Sequence, residues 1–105
     1  MYRIYILSHN RPHSILQCIK SVERAAKGIR DVEIIISENS PNANVINFLG
    51  NENIKSSIKK RKYYMSGIDH INFCLNEAKV DKKKYVCIFH DDDLMEENFV
   101  KKTIT

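Results

Sequence analysis

Short apolar runs alternate with longer segments of helical periodicity along this chain of 105 residues. Clear apolar runs occupy residues 3–7, 32–36 and 85–89, and a weaker run lies somewhere in residues 51–65. Each clear run passes into a polar loop and then into a helical segment. Alternating strands and helices are joined by right-handed crossovers and form a parallel sheet. The pattern therefore predicts an α/β fold, a Rossmann-like parallel sheet with helices on both faces.

The first two helical segments have recognisable ends. The first opens at Pro12 or the residue after it, because proline is tolerated in a first helical turn, and it stops at Gly28. The second is expected to begin with Ser40 as its N-cap and Pro41 in the first helical position, and to end at Gly50. These two segments give the chain two successive strand–loop–helix units.

A capping box at residues 66–69 predicts a third helix, and residues 96–105 are expected to form a last one. Both carry apolar residues at helical spacing, which indicates one face packed on the core. His13 and His70 are expected to be surface or helix residues that bind no ligand. The side chains expected to face inward are Ile68, Ile71, Leu75 and Ala78 in the third helix, and Phe99, Val100 and Ile104 in the last.

The expected strand order is 3-2-1-4. This order makes the first and fourth strands neighbours, with their connections leaving in opposite directions. Such a reversal is a topological switch point, where ligands bind beyond the carboxyl ends of the strands. Three polar loops are expected to meet there, namely residues 8–12, 37–41 and 90–95. The third strand, with its lysines, is expected at the edge of the sheet.

Three consecutive carboxylates, Asp91, Asp92 and Asp93, follow the apolar run at residues 85–89. That run has no polar alternation and is expected to be a strand buried on both faces. Adjacent anions repel one another, and a hard divalent cation bound by oxygen ligands is the usual offset. The alternative is a solvated acidic turn that leads into a helix with an acidic first turn. The position at the switch point favours the metal site.

The composition is that of a soluble globular chain, with 43% hydrophobic and 29% charged residues. The length fits one small domain, residues 1–105. No apolar run is long enough to span a bilayer, and the first residues do not resemble a signal peptide. Cys18, Cys74 and Cys87 lie in apolar segments without metal-type spacing, which indicates reduced core cysteines and a cytoplasmic protein.

The net charge of +4 is concentrated in two basic runs, residues 59–62 and 82–84. Such runs are most often solvated loops, although they also occur at nucleic-acid contacts. Only Tyr63 and Tyr64 adjoin them, without a module of stacking aromatic residues, so no nucleic-acid partner is predicted. Attraction to anionic lipid would use the same charge, which leaves open a peripheral association with the inner face of the membrane.

Three motifs, in order, resemble those of a family 2 glycosyltransferase with the GT-A fold. Residues 6–12 resemble the first strand of the family and its Thr-Tyr-Asn-Arg-Pro-like loop, and residues 35–40 resemble the second strand with its Asp-Asp-Gly-Ser-like loop. Residues 89–95 resemble the DXD metal motif, and Asn72 fits the helix pattern of the family loosely. The resemblance covers nearly the whole chain and implies the N-terminal, nucleotide-binding half of the GT-A fold.

The resemblance also implies roles for individual residues. A divalent Mg²⁺ or Mn²⁺ ion would be held in the acidic triplet, where Asp92 is the strongest single candidate and Asp91 also contacts the bound cofactor. His90 stands where the family often has the first Asp of its motif, so the ligands are either Asp91 with Asp93 or Asp92 alone. His90 is then either a partner of these ligands or a strand-end residue. The implied nucleotide-binding residues are Ser8, His9, Asn10, Arg11, Glu38 and Asn39, with Glu38 in the place of the usual nucleoside-binding Asp.

The implied activity is the transfer of a sugar from a nucleoside-diphosphate sugar, a UDP-sugar first, to a saccharide or lipid-linked acceptor. The family's second half supplies the acceptor site and a general base. No catalytic residue is assigned here, and a truncated chain with an exposed fourth strand, prone to form a homodimer, is expected. The alternative is a non-catalytic half domain that binds a nucleotide-sugar or a partner. A phosphoacceptor receiver or a nucleotidyltransferase is disfavoured, because residues 8–10 provide neither an acidic pair nor a glycine-rich loop.

Overall fold

The computed structural model describes residues 2–104 and contains one four-stranded sheet with the order β3-β2-β1-β4. The predicted order 3-2-1-4 is confirmed. Every neighbouring pair of strands is also parallel, as predicted. Within the described range, no helix is both long and apolar enough to cross a lipid bilayer. The elements in chain order are β1 (Tyr2–Ser8), α1 (Pro12–Ala26), β2 (Val32–Glu38), α2 (Asn44–Leu49), β3 (Ser57–Lys60), α3 (Gly67–Val80), β4 (Tyr85–His90) and α4 (Phe99–Ile104).

The central strand β1 is buried along its whole length and packs against helices on both faces. Successive side chains of a strand point to opposite faces of the sheet. Ile4 and Ile6 therefore face the cluster that contains residues of α1, α2 and α4, whereas Tyr5 and Leu7 face α3. The α3 side of the core is closed by the buried Cys74. The predicted arrangement of helices on both faces is confirmed.

The predicted start of α2 is wrong. The helix begins at Asn44, after Ala43, and not at Pro41. Ser40 does not cap it, because both its backbone N–H and its hydroxyl donate to Glu38 Oε1, at 3.1 and 2.7 Å. The hydroxyl is thereby held next to β2, and residues 41–43 form bends before the helix starts.

The predicted inner face of α3 is also wrong in part. Ser66 caps the helix as expected, since its hydroxyl accepts a hydrogen bond from Asp69 N. The buried stripe, however, consists of residues 70, 74 and 78, whereas Ile68 and Leu75 are exposed. His70, expected at a surface or on a helix, is a helix residue that is buried. Polar partners on β2 and at the end of β3 stabilise this rotation, as described below.

Two further predictions differ from the structure, namely the start of the last helix and the burial of the fourth strand on both faces. The last helix starts at Phe99 and not at Glu96, and it buries Val100. The inward orientation expected for Ile104 and the helical state of Thr105 lie outside the described residues. Strand β4 is only half-buried along residues 86–89, because it lies at the edge of the sheet with β1 as its neighbour. All three cysteines are free, with Cys87 half-buried and the other two buried.

A candidate functional site at the carboxyl ends of the strands

A cavity of about 470 Å³ opens where β1, β2 and β4 end. Its volume lies within the range of small-molecule sites in proteins. The loops after all three strands contribute to it, and so does the start of α3. The residues that line the cavity are Leu7, His9, Arg11, Asn39, Tyr64, Met65, Gly67, His70, His90, Asp91, Asp92 and Asp93.

Hydrogen bonds tie the three loops to one another. The backbone N–H of His9 donates to Asp91 Oδ2 at 2.9 Å, and the N–H of Asn10 donates to the hydroxyl of Ser40 at 2.6 Å. The N–H of Asn39 donates to the carbonyl of Ser8 at 2.9 Å. Asn10 has a φ of 54°, a left-handed conformation that asparagine adopts more readily than most residues. The predicted meeting of the three loops at the switch point is confirmed.

The β4 side of the cavity carries opposite charges in contact. The Arg11 guanidinium lies 2.7 Å from Asp92 Oδ2 and 3.9 Å from Asp91 Oδ1. Asp91 is buried and its pKa is raised, because burial outweighs the hydrogen bond from His9 N–H and the charge of Arg11. Asp93 and His90 are exposed. A side chain of the protein therefore already offsets part of the repulsion between the carboxylates.

The acidic turn is anchored on α1. The thiol of Cys18 donates to the carbonyl of His90 at 3.3 Å, and the N–H of Met95 donates to the hydroxyl of Ser21 at 2.9 Å. Burial and the nearby carboxylates raise the pKa of Cys18 to about 12, so this thiol stays protonated and can donate. The two contacts hold both ends of the turn against the same helix.

The acidic turn offers carboxylate oxygens to a divalent cation. In the part of the chain that the structure describes, no group of three or more His, Cys, Asp and Glu side chains is arranged to enclose a metal. Mg²⁺, however, usually takes one or two carboxylates and completes its shell with water and substrate phosphates. Asp91 and Asp92 supply such carboxylate oxygens beside an open cavity, and the positively charged Arg11 already lies against them. The donor set therefore fits an ion that is shared with a phosphorylated ligand.

Glu38 lies beneath the cavity and not on its surface. Its side chain is fully buried, and Oε1 accepts hydrogen bonds from the hydroxyls of Ser8 and Ser40 at 3.0 and 2.7 Å and from Ser40 N–H. Its Oε2 is buried and has no hydrogen-bond partner among the described residues. Of the six nucleotide-binding residues implied by the resemblance, only His9, Arg11 and Asn39 line the cavity.

The β2 side of the cavity is neutral. The side-chain amide of Asn39 donates to the carbonyl of Met65 at 2.8 Å and accepts from Met65 N–H at 3.2 Å, which fixes the segment before α3. The ring of Tyr64 lies 5.3 Å from the ring of His9, centroid to centroid, at an angle of 57°. This side therefore offers aromatic surface and an amide, while the β4 side offers charge.

A buried polar network supports the β2 side from behind. The Ser37 hydroxyl lies 2.7 Å from His70 Nε2 and accepts a hydrogen bond from Arg61 Nε at 2.7 Å. Arg61 also binds both carboxylate oxygens of Glu77. Burial alone would raise the pKa of Glu77, but the hydrogen bonds from Arg61 and Tyr5 outweigh it and lower that pKa. Arg61 is thus held as a buried cation against Ser37.

The sequence pattern missed Tyr64, Met65, Gly67 and His70 as cavity residues. Tyr64 and Met65 lie in the segment that had no clear periodicity, so nothing local indicated their position. For His70 a signal existed, because residues 70, 74 and 78 recur at a spacing of four and form a helical stripe. This stripe includes a polar histidine, whereas residues 68, 71 and 75 are all apolar. The apolar face was therefore the one predicted to be buried.

The strand order and the position of the cavity define an α/β domain with a Rossmann-like parallel sheet. A solved structure with this fold is that of S. aureus TarS, a family 2 glycosyltransferase, which superposes with a TM-score of 0.70 at 13% sequence identity. The similarity covers 97% of this chain and 18% of the TarS chain, so this chain spans less than a fifth of that protein's length. No protein-family model matches the chain, and no curated protein matches it.

Proposed function

We propose that this chain is the nucleotide-sugar-binding half of a metal-dependent glycosyltransferase that uses a nucleoside-diphosphate sugar. The observation that carries the proposal is the division of the cavity into a charged side at β4 and a neutral, aromatic side at β2. A nucleoside diphosphate has the same division between its phosphates and its base. Neighbouring strands are about 5 Å apart, so β4 and β2 are separated by about 10 Å, which such a ligand spans.

The charged side would hold the diphosphate. Asp91 and Asp92, with Asp93 beside them, would hold Mg²⁺ or Mn²⁺; when bound, such an ion neutralises the diphosphate and stabilises it as a leaving group. Arg11 is more than half exposed and matches phosphate oxygens with its planar fork of donors. Arg11 would therefore exchange its contact with the carboxylates for a contact with the ligand.

The neutral side would hold the nucleoside, which we take to be that of a UDP-sugar. His9 and Tyr64 offer ring faces for the base, and the bonds from Asn10 N–H to Ser40 and from Asn39 N–H to Ser8 hold the loop that carries His9. Glu38, whose Oε2 is buried and has no partner in the described protein, would accept a nucleoside hydrogen bond only if the bound ligand displaced the groups that cover it. A carboxylate there accepts from a ribose hydroxyl or from a uracil N–H.

The acceptor we propose is a saccharide or a lipid-linked saccharide, at the cytoplasmic face of a membrane. The two basic runs lie at opposite ends of the parallel strands. Residues 59–62 lie at the carboxyl end of β3, whereas residues 82–84 precede the amino end of β4. One lipid surface therefore contacts only one of them. Residues 59, 60 and 62 lie at the carboxyl ends of the strands, where the cavity also opens. This position favours that run for contact with anionic lipid.

Calorimetric titration with UDP and GDP, with and without Mn²⁺, tests the proposal. We expect binding that requires Mn²⁺ and that weakens at least tenfold in Asp92→Ala. Glu97→Ala removes an exposed carboxylate from the same segment outside the cavity and should bind like the wild type. Absent or metal-independent binding would overturn the proposal. Metal-dependent binding without sugar transfer would favour the non-catalytic half domain.

A further inference from the structure

His70 is a buried histidine in the first turn of α3 that lines the neutral side of the cavity. Only 4% of the residue is exposed. The proposed function assigns it no role, yet its ring contacts Ser37, which also binds Arg61 and Cys74. The arrangement of these bonds determines which atom His70 presents to a ligand.

The proton of the neutral imidazole is located by the hydrogen bonds of Ser37. The Ser37 hydroxyl oxygen accepts from Arg61 Nε at 2.7 Å and from the thiol of Cys74 at 3.4 Å. A hydroxyl has one hydrogen to donate, and we assign this hydrogen to His70 Nε2, which lies 2.7 Å from the Ser37 oxygen. With this assignment Nε2 is the acceptor, and Nδ1 carries the proton.

The surroundings keep the ring neutral. Burial, followed by the charge of Arg61, lowers the pKa of His70 to about 4. The charged and titratable groups that face the ring are Arg61 at the end of β3, His9 after β1 and Glu38 on β2, and only Glu38 acts in the opposite direction. Arg61 cannot turn away without breaking its two bonds to Glu77. Among residues 2–104, the contact with Ser37 is the one hydrogen bond that the His70 ring makes.

We propose that His70 is a specificity-determining residue that donates its Nδ1–H to an exocyclic carbonyl oxygen of the bound base. This inference rests on the proposed function, because it assigns the base to the neutral side of the cavity. Uracil and guanine carry a carbonyl oxygen where cytosine and adenine carry an amino group. An amino group facing Nδ1–H would leave two donors opposed and unpaired in a buried place. The site would then select bases by this one group.

Two matched pairs of nucleotides isolate the group. UDP and CDP differ at this position among pyrimidines, as GDP and ADP do among purines. Titrations with Mn²⁺ should show the carbonyl member of each pair binding about tenfold tighter, the magnitude of one hydrogen bond made or lost at a buried site. His70→Ala should reduce the ratio to about one by weakening UDP and GDP. His13→Ala, a histidine on the exposed side of α1 that contacts Phe48, should leave the ratio unchanged.

A conservative variant and a spectroscopic measurement separate recognition from folding. His70→Asn places an amide N–H close to the position of Nδ1 and should recover part of the preference for UDP over CDP. Imidazole ¹⁵N chemical shifts of the wild type should identify the Nδ1–H tautomer at neutral pH, and Ser37→Ala should reduce its population. An Nε2–H tautomer, or a charged ring at neutral pH, would overturn the inference even if His70→Ala failed to fold.

The failure of this inference can be told apart from failure of the proposed function. Binding of all four nucleotides with equal affinity would overturn the role of His70 and leave the proposed function standing. Binding of none of them would overturn both. Preference for CDP and ADP would show that His70 presents an acceptor, which contradicts the hydrogen-bond directions inferred for Ser37.

Discussion

The guanidinium of Arg61 binds both carboxylate oxygens of Glu77, with Nη1 2.9 Å from Oε2 and Nη2 3.0 Å from Oε1. The chain of contacts extends in both directions from this pair. Glu77 accepts from the hydroxyl of Tyr5, which accepts in turn from the buried Arg3, and Arg61 donates to Ser37 next to the cavity. A continuous polar network therefore crosses the α3 side of the core, from the amino edge of the sheet to the cavity.

Removal of Arg61 should destabilise the fold strongly. Arg61→Ala leaves Glu77 and the Ser37 hydroxyl without their partner in a largely buried place, and we expect the free energy of unfolding to fall by about 3 kcal/mol. Urea denaturation followed by circular dichroism measures the change. Lys62→Ala removes the next, exposed cation and should change stability by less than about 0.5 kcal/mol. An equal loss of stability in both variants would contradict the prediction that the buried pair of Arg61 and Glu77 contributes more than an exposed cation.

The pH dependence of stability should carry the signature of His70. Its pKa falls from 6.5 to about 4 on folding, so in this range the unfolded chain binds a proton that the folded chain does not. The free energy of unfolding should therefore decrease as the pH falls, by roughly 2 kcal/mol between pH 7 and pH 5. Glu33 and Glu77, with lowered pKa values, lose their contributions only at lower pH. Urea denaturation of His70→Asn should show a flatter profile between pH 7 and pH 5, and an unchanged slope would contradict the prediction.

Arg11 should compete with a divalent cation for the carboxylates. Because its guanidinium lies against Asp92 and near Asp91, Arg11→Ala should bind Mn²⁺ alone up to about fivefold tighter, the range expected for an exposed ion pair. The same variant should bind UDP with Mn²⁺ more weakly, since the contact with phosphate is lost. Calorimetry measures both affinities. Arg30→Ala is the control, because Arg30 is exposed and precedes the amino end of β2, away from the cavity. If the affinity for Mn²⁺ alone and the affinity for UDP with Mn²⁺ changed in the same direction, Arg11 would not exchange the carboxylates for the phosphate.

The free edge of β4 should promote self-association. This strand pairs with β1 alone within the described residues; the exposed Tyr85 begins it, and the exposed Leu94 lies in the turn that follows it. An unpaired edge is a template for another chain, so sedimentation should show dimers that increase with protein concentration. Tyr85→Lys combined with Leu94→Glu should shift the distribution towards monomer, because buried apolar contacts at both ends are lost. A wild type that stays monomeric at high concentration would contradict the prediction.

Much of the fold followed from local patterns. The runs at residues 3–7, 32–36 and 85–89 are strands, and their alternation with helices predicted the parallel sheet, whose order is the expected 3-2-1-4. Errors occurred where a side chain had two possible partners. Ser40 has the residue type of an N-cap, but the carboxylate of Glu38 binds its hydroxyl instead. The face of α3 was misjudged because tertiary polar contacts of His70 outweighed the hydrophobicity of Ile68.

The candidate site was predictable in place but not in detail. The switch point required only the strand order, and it brought residues 9, 11, 39 and 91–93 to one cavity. The contact between Arg11 and Asp92 joins residues 81 positions apart and leaves no local signature. The same applies to His70 and Ser37, which are 33 positions apart. Metal binding and the donor nucleotide stay predictions.

The sequence by itself determined the parallel sheet and the edge at which a ligand would bind, because strand periodicity and crossover handedness are local or generic properties. Only the tertiary structure decided the state of the groups at that edge. It buried Asp91, set Arg11 against the carboxylates, and buried the His70 imidazole beside the charge of Arg61, which lowers the pKa of that ring. Charge, burial and the direction of a hydrogen bond depend on neighbours from other elements, and those neighbours exist only after the strands have packed.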